Sequence, residues 1–349
     1  MQKFFLIAII IGIPLSFLGD FLHWSHNLMF AIYAATIIAL ATFMGRSTES
    51  IAVHVGERLG GLLNATFGNA VELIISIFAL KVGYISIVLA SLTGAVIGNL
   101  LLVCGLSFFV GGLKYKRQKF NVHDSRHNSG LLMMGVIIAF VFPHIFASQT
   151  THNNAMVLSV SVAVVLILLY MAALLFRLVT HRGVYPNIEE GTEHEVAEWT
   201  KRKSFIILLL STIGVAFVSE KLVHTFETVA ESFGWSEVFI GVIVVAIVGN
   251  AAEHASAIWM AYKNKMNASI EIAIGSSIQI AMFVTPVLVL LSLTFGNPMP
   301  LVFTVPELIA MVLAALLTII ITNDGDSNWF EGATLLAAYA IMGIGFYLI

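Results

Sequence analysis

Apolar residues in this chain run in long, nearly unbroken blocks, and the polar and charged residues gather in the short gaps between them. A helix of about 20 apolar residues spans a bilayer core of roughly 30 Å, and it satisfies its own backbone groups in lipid. The blocks therefore predict an all-α integral membrane protein with about eleven transmembrane helices, at residues 4–19, 27–44, 49–81, 84–112, 129–147, 154–180, 204–221, 235–263, 267–294, 300–321 and 328–349. The third and eighth are longer than a straight crossing requires. One contains Gly60, Gly61 and Gly68, the other Gly241 and Gly249. Glycine is worse than alanine inside a helix by about 1 kcal/mol, so kinks or breaks are expected at these positions. The first block follows Lys3 and lacks a small-x-small cleavage pattern, so it reads as a retained helix rather than a removed signal peptide.

Composition supports this class. Hydrophobic residues are 59% of 349, charged residues 11%, and the mean hydropathy is +0.96, against about 45–50% apolar and about 25% charged in soluble domains. The lipid bilayer is thus a partner and no nucleic acid is expected; the formal net charge of −3 carries no further information. The single cysteine, Cys104, leaves no intrachain disulfide and no cysteine metal cluster. The basic residues sort by side. With eleven spans, the face that holds the N-terminus collects 14 of the 17 Lys and Arg, while Lys81 and Lys221 fall on the other face and Arg58 inside the third block. That asymmetry predicts a cytoplasmic N-terminus and a C-terminus outside. A bacterial plasma membrane is the expected location.

Two blocks break the apolar pattern in the same way. Gly68, Asn69, Ala70, Val71, Glu72 returns 181 positions later as Gly249, Asn250, Ala251, Ala252, Glu253. The same offset pairs Gly60 with Gly241, Ile77 with Ile258, Gly94 with Gly275 and Val103 with Val284, without a gap across two successive blocks. Such a register indicates an internal duplication. Setting aside the first helix divides the chain into residues 1–26, a first five-helix repeat 27–180, a connection 181–203 and a second five-helix repeat 204–349. Five spans per repeat make the copies enter from opposite faces, so the pair is inverted. Inverted repeats place substrate sites near the midplane, at irregular helices.

A charge at membrane depth costs about 2.5–3.5 kcal/mol even on the lenient insertion scale, so Glu72 and Glu253 are expected to face a partner, a cavity or an ion path. Asn69 and Asn250 lie three residues before them, on the same helix face. The set is all oxygen: two carboxylates, two amides and nearby helix carbonyls. Calcium takes six to eight such ligands at roughly 2.3–2.6 Å, whereas zinc or copper would want His or Cys. His254 adjoins Glu253, but at about 100° round the helix. Buried carboxylates also bind protons, and a divalent cation between two of them displaces those protons. Calcium and protons then compete for the same groups.

The two G-N-A-x-E segments, G-A-V-I-G-N-L-L-L-V at 94–103, G-S-S-I-Q-I at 275–280 and T-N-D-G-D-S-N-W at 322–329 resemble the calcium (cation)/proton antiporter family of the calcium/cation antiporter superfamily. The likeness runs from about residue 46 to the end, and the eleven-helix plan is similar too. The resemblance implies an antiporter, not an enzyme, that exchanges cytosolic calcium for protons by alternating access. Calcium is its transported substrate, and no cofactor is implied. It further implies that Glu72 and Glu253 carry cation and proton, and that Asn69, Asn250, Asn99 and Gln279 belong to the metal site and its selectivity region. In the 181-residue register Gly98, not Asn99, pairs with Gln279. The sodium/calcium exchanger branch resembles the chain in fold, but it typically has Ser-x-Pro before the acid where this chain has Asn-Ala-x-Glu. A sodium-coupled exchanger and a calcium-permeable channel remain the alternative functions.

Other charged residues have plainer readings. Glu57 and Glu307 sit about two turns from predicted helix ends, where snorkelling or pairing accounts for them. His54 and Glu57 share a face, yet no H-E-x-x-H occurs in the chain. The connection between repeats carries Glu189, Glu190, Glu193, Glu195 and Glu198. It reads as a solvated linker, or as a short helix with Glu198 and Arg202 at i, i+4 that regulates transport by concentrating calcium. Assembly into a homo-oligomer is compatible with the sequence.

Overall fold

A computed structural model describes residues 2–180 and 197–349. The helices are α1 (Gln2–Phe21), α2 (His26–Val55), α3 (Glu57–Phe67), α4 (Ala70–Val82), α5 (Ile85–Lys114), α6 (Val122–Ala147), α7 (His152–Thr180), α8 (Lys201–Val223), the short α9 (Phe226–Phe233), α10 (Glu237–Tyr262), α11 (Met266–Phe295), α12 (Val305–Asp324) and α13 (Trp329–Leu348). Among the described residues, nine of them are long and apolar enough to cross a membrane. The helical membrane architecture predicted from the apolar blocks is therefore the one observed.

Several boundaries differ from the sequence reading; α6, for one, starts at Val122 and not at residue 129. The second block does not stop at residue 44; α2 continues through Arg46 to Val55 and ends at Gly56, whose φ of 81° lies in the region where glycine is favoured. The third block is two helices, broken between Phe67 and Ala70 at Gly68 and Asn69. Its counterpart α10 is continuous through Gly249; its irregularity is a π-helical turn over Ile240–Val245, which contains Gly241. The glycine-induced break thus falls in only one copy. A further pair of π turns does match at the 181-residue spacing, since Gly98–Val103 in α5 and Ile280–Val284 in α11 both end at paired valines. Each widens its helix beside a polar residue, Asn99 or Gln279, and π turns of this kind free backbone groups at functional positions.

α5 lies in the centre and is almost wholly buried, because it is apolar on every face and can be covered all round. It crosses α10 at contact distance. A Cβ on Gly94 would lie 2.0 Å from the Val242 carbonyl oxygen, and one on Gly241 would lie 2.4 Å from the Ala90 Cβ. Small residues allow this approach, which is how helices pack where lipid supplies no hydrophobic drive.

The ends are tied across the two halves. On the basic face, Gln118 donates from Nε2 to the Ala261 carbonyl at the end of α10 (2.9 Å). On the opposite face, Asn297 donates from Nδ2 to the Leu80 carbonyl at the end of α4 (3.0 Å). Leu80 and Ala261 are 181 residues apart, so each half satisfies the last carbonyls of the other half's motif helix. On the basic face alone a two-residue ladder, β1 (Gln118–Lys119) against β2 (Asp326–Ser327), joins the loops after α5 and α12. Arg117 pairs there with Asp326, and that neighbouring carboxylate raises the guanidinium above its ordinary value. α1 is held at the other face through Asp20, which accepts from Tyr33 of α2 and pairs with Lys221 of α8.

Candidate functional site

The break at Gly68 and Asn69 brings α4 to its first turn with Glu72 pointing inward, and Glu72 is fully buried. Its Oε2 accepts from Asn250 Nδ2 at 3.4 Å, and Asn250 Nδ2 also donates to the Ala246 carbonyl at 3.0 Å. Glu72 Oε1 and Asn250 Oδ1 are buried and have no partner. Glu253 lies on the continuous α10 and is half-buried; its Oε2 is 2.7 Å from the Ser276 hydroxyl of α11. Ser276 Oγ is also 2.8 Å from Asn69 Oδ1, and Asn69 Nδ2 donates to Gln279 Oε1 at 2.9 Å. The amide of each motif thus serves the other half: Asn250 meets Glu72, and Asn69 meets Gln279 and Ser276.

The motif glycines make this crossing close. A Cβ on Gly68 would stand 3.0 Å from Glu253 Oε1, and one on Gly249 would stand 3.3 Å from the Glu72 Cβ. Gly68 thus faces the Glu253 carboxylate, and Gly249 faces the Cα and Cβ of Glu72. The duplicated spacing of Gly and Glu has a tertiary reason that neither copy contains alone.

Asn99 and Gln279 occupy different surroundings. Gln279 is half-buried and bonded to Asn69, whereas Asn99 is buried and its Oδ1 is 3.2 Å from His254 Nε2, with Asn99 Nδ2 left unpartnered. His254, which the helix angle sets aside from the Glu253 face, therefore reaches the region through Asn99. Ser276 is the site neighbour that sequence reasoning did not single out. Its only signal is its place in the G-S-S-I-Q-I segment after Gly275, where the first copy has Ala95.

Counting hydrogens constrains the protonation of this cluster. A serine hydroxyl has one hydrogen, and with Asn69 donating to Gln279, Ser276 faces acceptors on both sides. The set balances when Glu253 donates to Ser276 Oγ and Ser276 donates to Asn69 Oδ1; with Glu253 ionised, Ser276 turns to it and Asn69 Oδ1 is released. No Lys or Arg pairs with either glutamate among the described residues. Those residues also contain no group of three or more His, Cys, Asp or Glu suited to a metal. The donors present are oxygen donors, which fit a hard cation or protons. Glu72 is fully buried, whereas Glu253 and Gln279 are half-buried.

The remaining predicted positions separate. Glu307 does not snorkel. It is 3% exposed and caps its own helix, with Oε2 accepting from the Thr304 backbone N–H (2.7 Å) and hydroxyl (2.8 Å), because an N-terminal turn lowers the cost of a carboxylate. Glu189, Glu190, Glu193 and Glu195 lie outside the described residues, as do the side chains of Glu57 and Arg58. Glu198 precedes the Thr200 cap of α8, so it has no helical i, i+4 contact with Arg202; it pairs with Arg46 of α2 at 3.6 Å. Trp199 beside it stacks on Phe43, and the Trp199 carbonyl oxygen is 2.8 Å from His54 Nε2.

A family model described as "Sodium/calcium exchanger protein" matches residues 25–179 and 203–348. The chain is 63% identical over 351 residues to the Ca(2+)/H(+) antiporter ChaA of Bacillus subtilis (strain 168), covering 100% of both proteins. It is 44% identical over 364 residues to a Ca(2+)/H(+) antiporter of Synechocystis sp., covering 99% of this chain and 97% of the relative. Among solved structures it is similar to native YfkE, with a TM-score of 0.88 and 59% identity over 99% of this chain and 100% of that one.

Proposed function

Because the chain belongs to the sodium/calcium exchanger protein family, we propose that it is a secondary transporter exchanging calcium for protons across a bacterial plasma membrane, with Glu72 and Glu253 as the groups that carry both. The observation that carries this reading is a pair of carboxylates from two motif copies, without a basic partner among the described residues and with Glu72 Oε1 left unpaired. Buried carboxylates in that condition require a cation or protons. The relatives named calcium/proton antiporters support these two ligands.

In this reading calcium binds when both glutamates are ionised, with Asn69, Asn250, Asn99 and Gln279 supplying or orienting further oxygens. Proton arrival at Glu253 restores the Glu253–Ser276–Asn69 chain and removes one ligand charge, so calcium leaves. A proton on Glu72 completes the exchange. The two halves, 27–180 and 204–349, move about this site to expose it alternately, with residues 1–26 outside the pair and 181–203 joining it on a cytoplasmic face. The deciding experiment is calcium uptake into everted vesicles under an imposed pH gradient, without sodium or potassium. The expected result is accumulation that a protonophore abolishes. Uptake that needs sodium and ignores the pH gradient assigns the chain to sodium coupling, and a flux too fast for a turnover cycle assigns it to a channel.

The acidic connection tunes transport rather than performing it. Solvated carboxylates attract divalent cations but cannot carry them through the bilayer. The Glu198–Arg46 pair is exposed enough to contribute only about 0–1 kcal/mol. Replacing Glu189, Glu190, Glu193, Glu195 and Glu198 by glutamine is expected to preserve maximal exchange and to shift its dependence on cytosolic calcium; an unshifted curve reduces the segment to a linker.

A further inference from the structure

The two motif helices end in the same way. α4 is closed by Gly83 at a φ of 96° and α10 by Asn264 at a φ of 64°; both are left-handed, and the positions are 181 residues apart. At each end one amide from the other half uses both of its hydrogens. Asn297 Nδ2 donates to the Leu80 carbonyl at 3.0 Å and to the Lys81 carbonyl at 3.2 Å. Gln118 Nε2 donates to the Ala261 carbonyl and to Asn264 Oδ1, each at 2.9 Å. A primary amide has two N–H donors, so neither keeps one for another partner. The donors themselves are not duplicated, since Met299 stands 181 residues after Gln118. Two loops of different sequence thus arrive at equivalent helix ends.

Both loops are firm. Asn297 is followed by Pro298, which restricts the backbone of the residue before it. Beyond it the Met299 N–H donates to Ser292 Oγ at 3.0 Å and the Leu301 N–H to Ser159 Oγ at 2.8 Å. Gln118 is buried and forms a rung of the β1–β2 ladder with Ser327. Leu80 lies eight residues after Glu72, and Ala261 eight after Glu253, which is about 12 Å along a helix. A shift or rotation at the tied end is therefore carried to the carboxylate. α10 has a second fixed point beyond Glu253, its close crossing with α5 at Gly241 and Val242. α4 starts afresh at Ala70, with Glu72 in its first turn, so the place of Glu72 depends more heavily on the far end.

A binding constellation has to be held within about 0.5 Å of its productive geometry. We propose that Asn297 and Gln118 are positioning residues for the calcium site: each fixes the height and rotation of the other half's motif helix, so that Glu72 and Glu253 meet one ion. The proposal rests on the exchanger reading above. Neither amide is a ligand; both act through a helix.

The test measures pH-driven uptake of radiolabelled calcium by the full chain in everted vesicles, against calcium concentration at fixed pH, with the thermal midpoint in detergent beside it. Asn297→Leu and Gln118→Met keep the bulk and remove both donors. Half-saturating calcium should rise roughly tenfold in Asn297→Leu and about threefold in Gln118→Met, with the maximal rate kept, because binding is weakened and not the cycle. Arg126→Ala is the control. It cuts another tie between the halves on the basic face, from Arg126 Nε to Asn323 Oδ1 at 2.9 Å, and neither residue lies on a motif helix. It should lower the thermal midpoint and leave half-saturation unchanged. An unshifted half-saturation in Asn297→Leu overturns the proposal, and so does an equal rise in Arg126→Ala, which would reduce the amides to ordinary ties. Should the buried Gln118→Met fail to fold, the half-buried Asn297 decides alone. Wild-type vesicles without pH-driven uptake would fail the exchanger reading itself, whereas normal wild-type uptake with unshifted variants fails only this inference.

Discussion

Glu72→Gln and Glu253→Gln should each abolish calcium/proton exchange while the protein remains folded. The amide preserves the side-chain volume but removes both the charge that holds calcium and the site that takes the proton. The surroundings tolerate this change for different reasons. Glu72 Oε1 has no partner to lose and Oε2 has one contact at 3.4 Å, so the amide introduced by Glu72→Gln can turn its oxygen to Asn250. At Glu253 the neighbour is a hydroxyl, which can donate to an amide oxygen or accept from an amide nitrogen. Retention on size exclusion with loss of pH-driven uptake is the expected pair of results, and normal uptake by either variant would sink the two-carboxylate mechanism. Asn69→Ala and Asn250→Ala should be less uniform. Asn69 links Gln279 and Ser276, while Asn250 touches Glu72 directly.

The second large effect concerns stability. Gly94→Ala should markedly lower the temperature at which the detergent-solubilised protein loses its monodisperse peak, whereas Gly275→Ala should leave it nearly unchanged. A Cβ at Gly94 would meet the Val242 carbonyl oxygen at 2.0 Å, and backbone cannot swing aside as a side chain can. Overpacking typically costs about 1–3 kcal/mol, and here the two central helices must separate. A Cβ at Gly275 meets nothing within 4 Å. Equal midpoints for the two variants would show that the α5–α10 crossing is looser than its geometry indicates.

These two glycines also mark where sequence reasoning stops. Gly94 and Gly275 are equivalent in the 181-residue register, yet only one stands at a helix crossing. The register likewise suggests equal breaks at Gly68 and Gly249, but α4 starts afresh at Ala70 while α10 runs on. A glycine permits a break; whether one occurs depends on what packs against it. Glu307 makes the same point. Its distance from a helix end suggests snorkelling or pairing with a basic residue, and the donors at Thr304 make burial the better solution.

The sequence by itself determined the membrane class, because long apolar blocks leave the chain no other solvent, and it determined the paired Glu and Asn positions, because a gapless duplication is visible without coordinates. Only the tertiary structure decided that Asn250 meets Glu72, that Ser276 stands between Glu253 and Asn69, that His254 reaches Asn99, and that Gln118 and Asn297 hold the ends of α10 and α4. The physical reason is that helical periodicity fixes which face a residue occupies on its own helix, whereas its partner depends on how helices distant in sequence cross and rotate against one another.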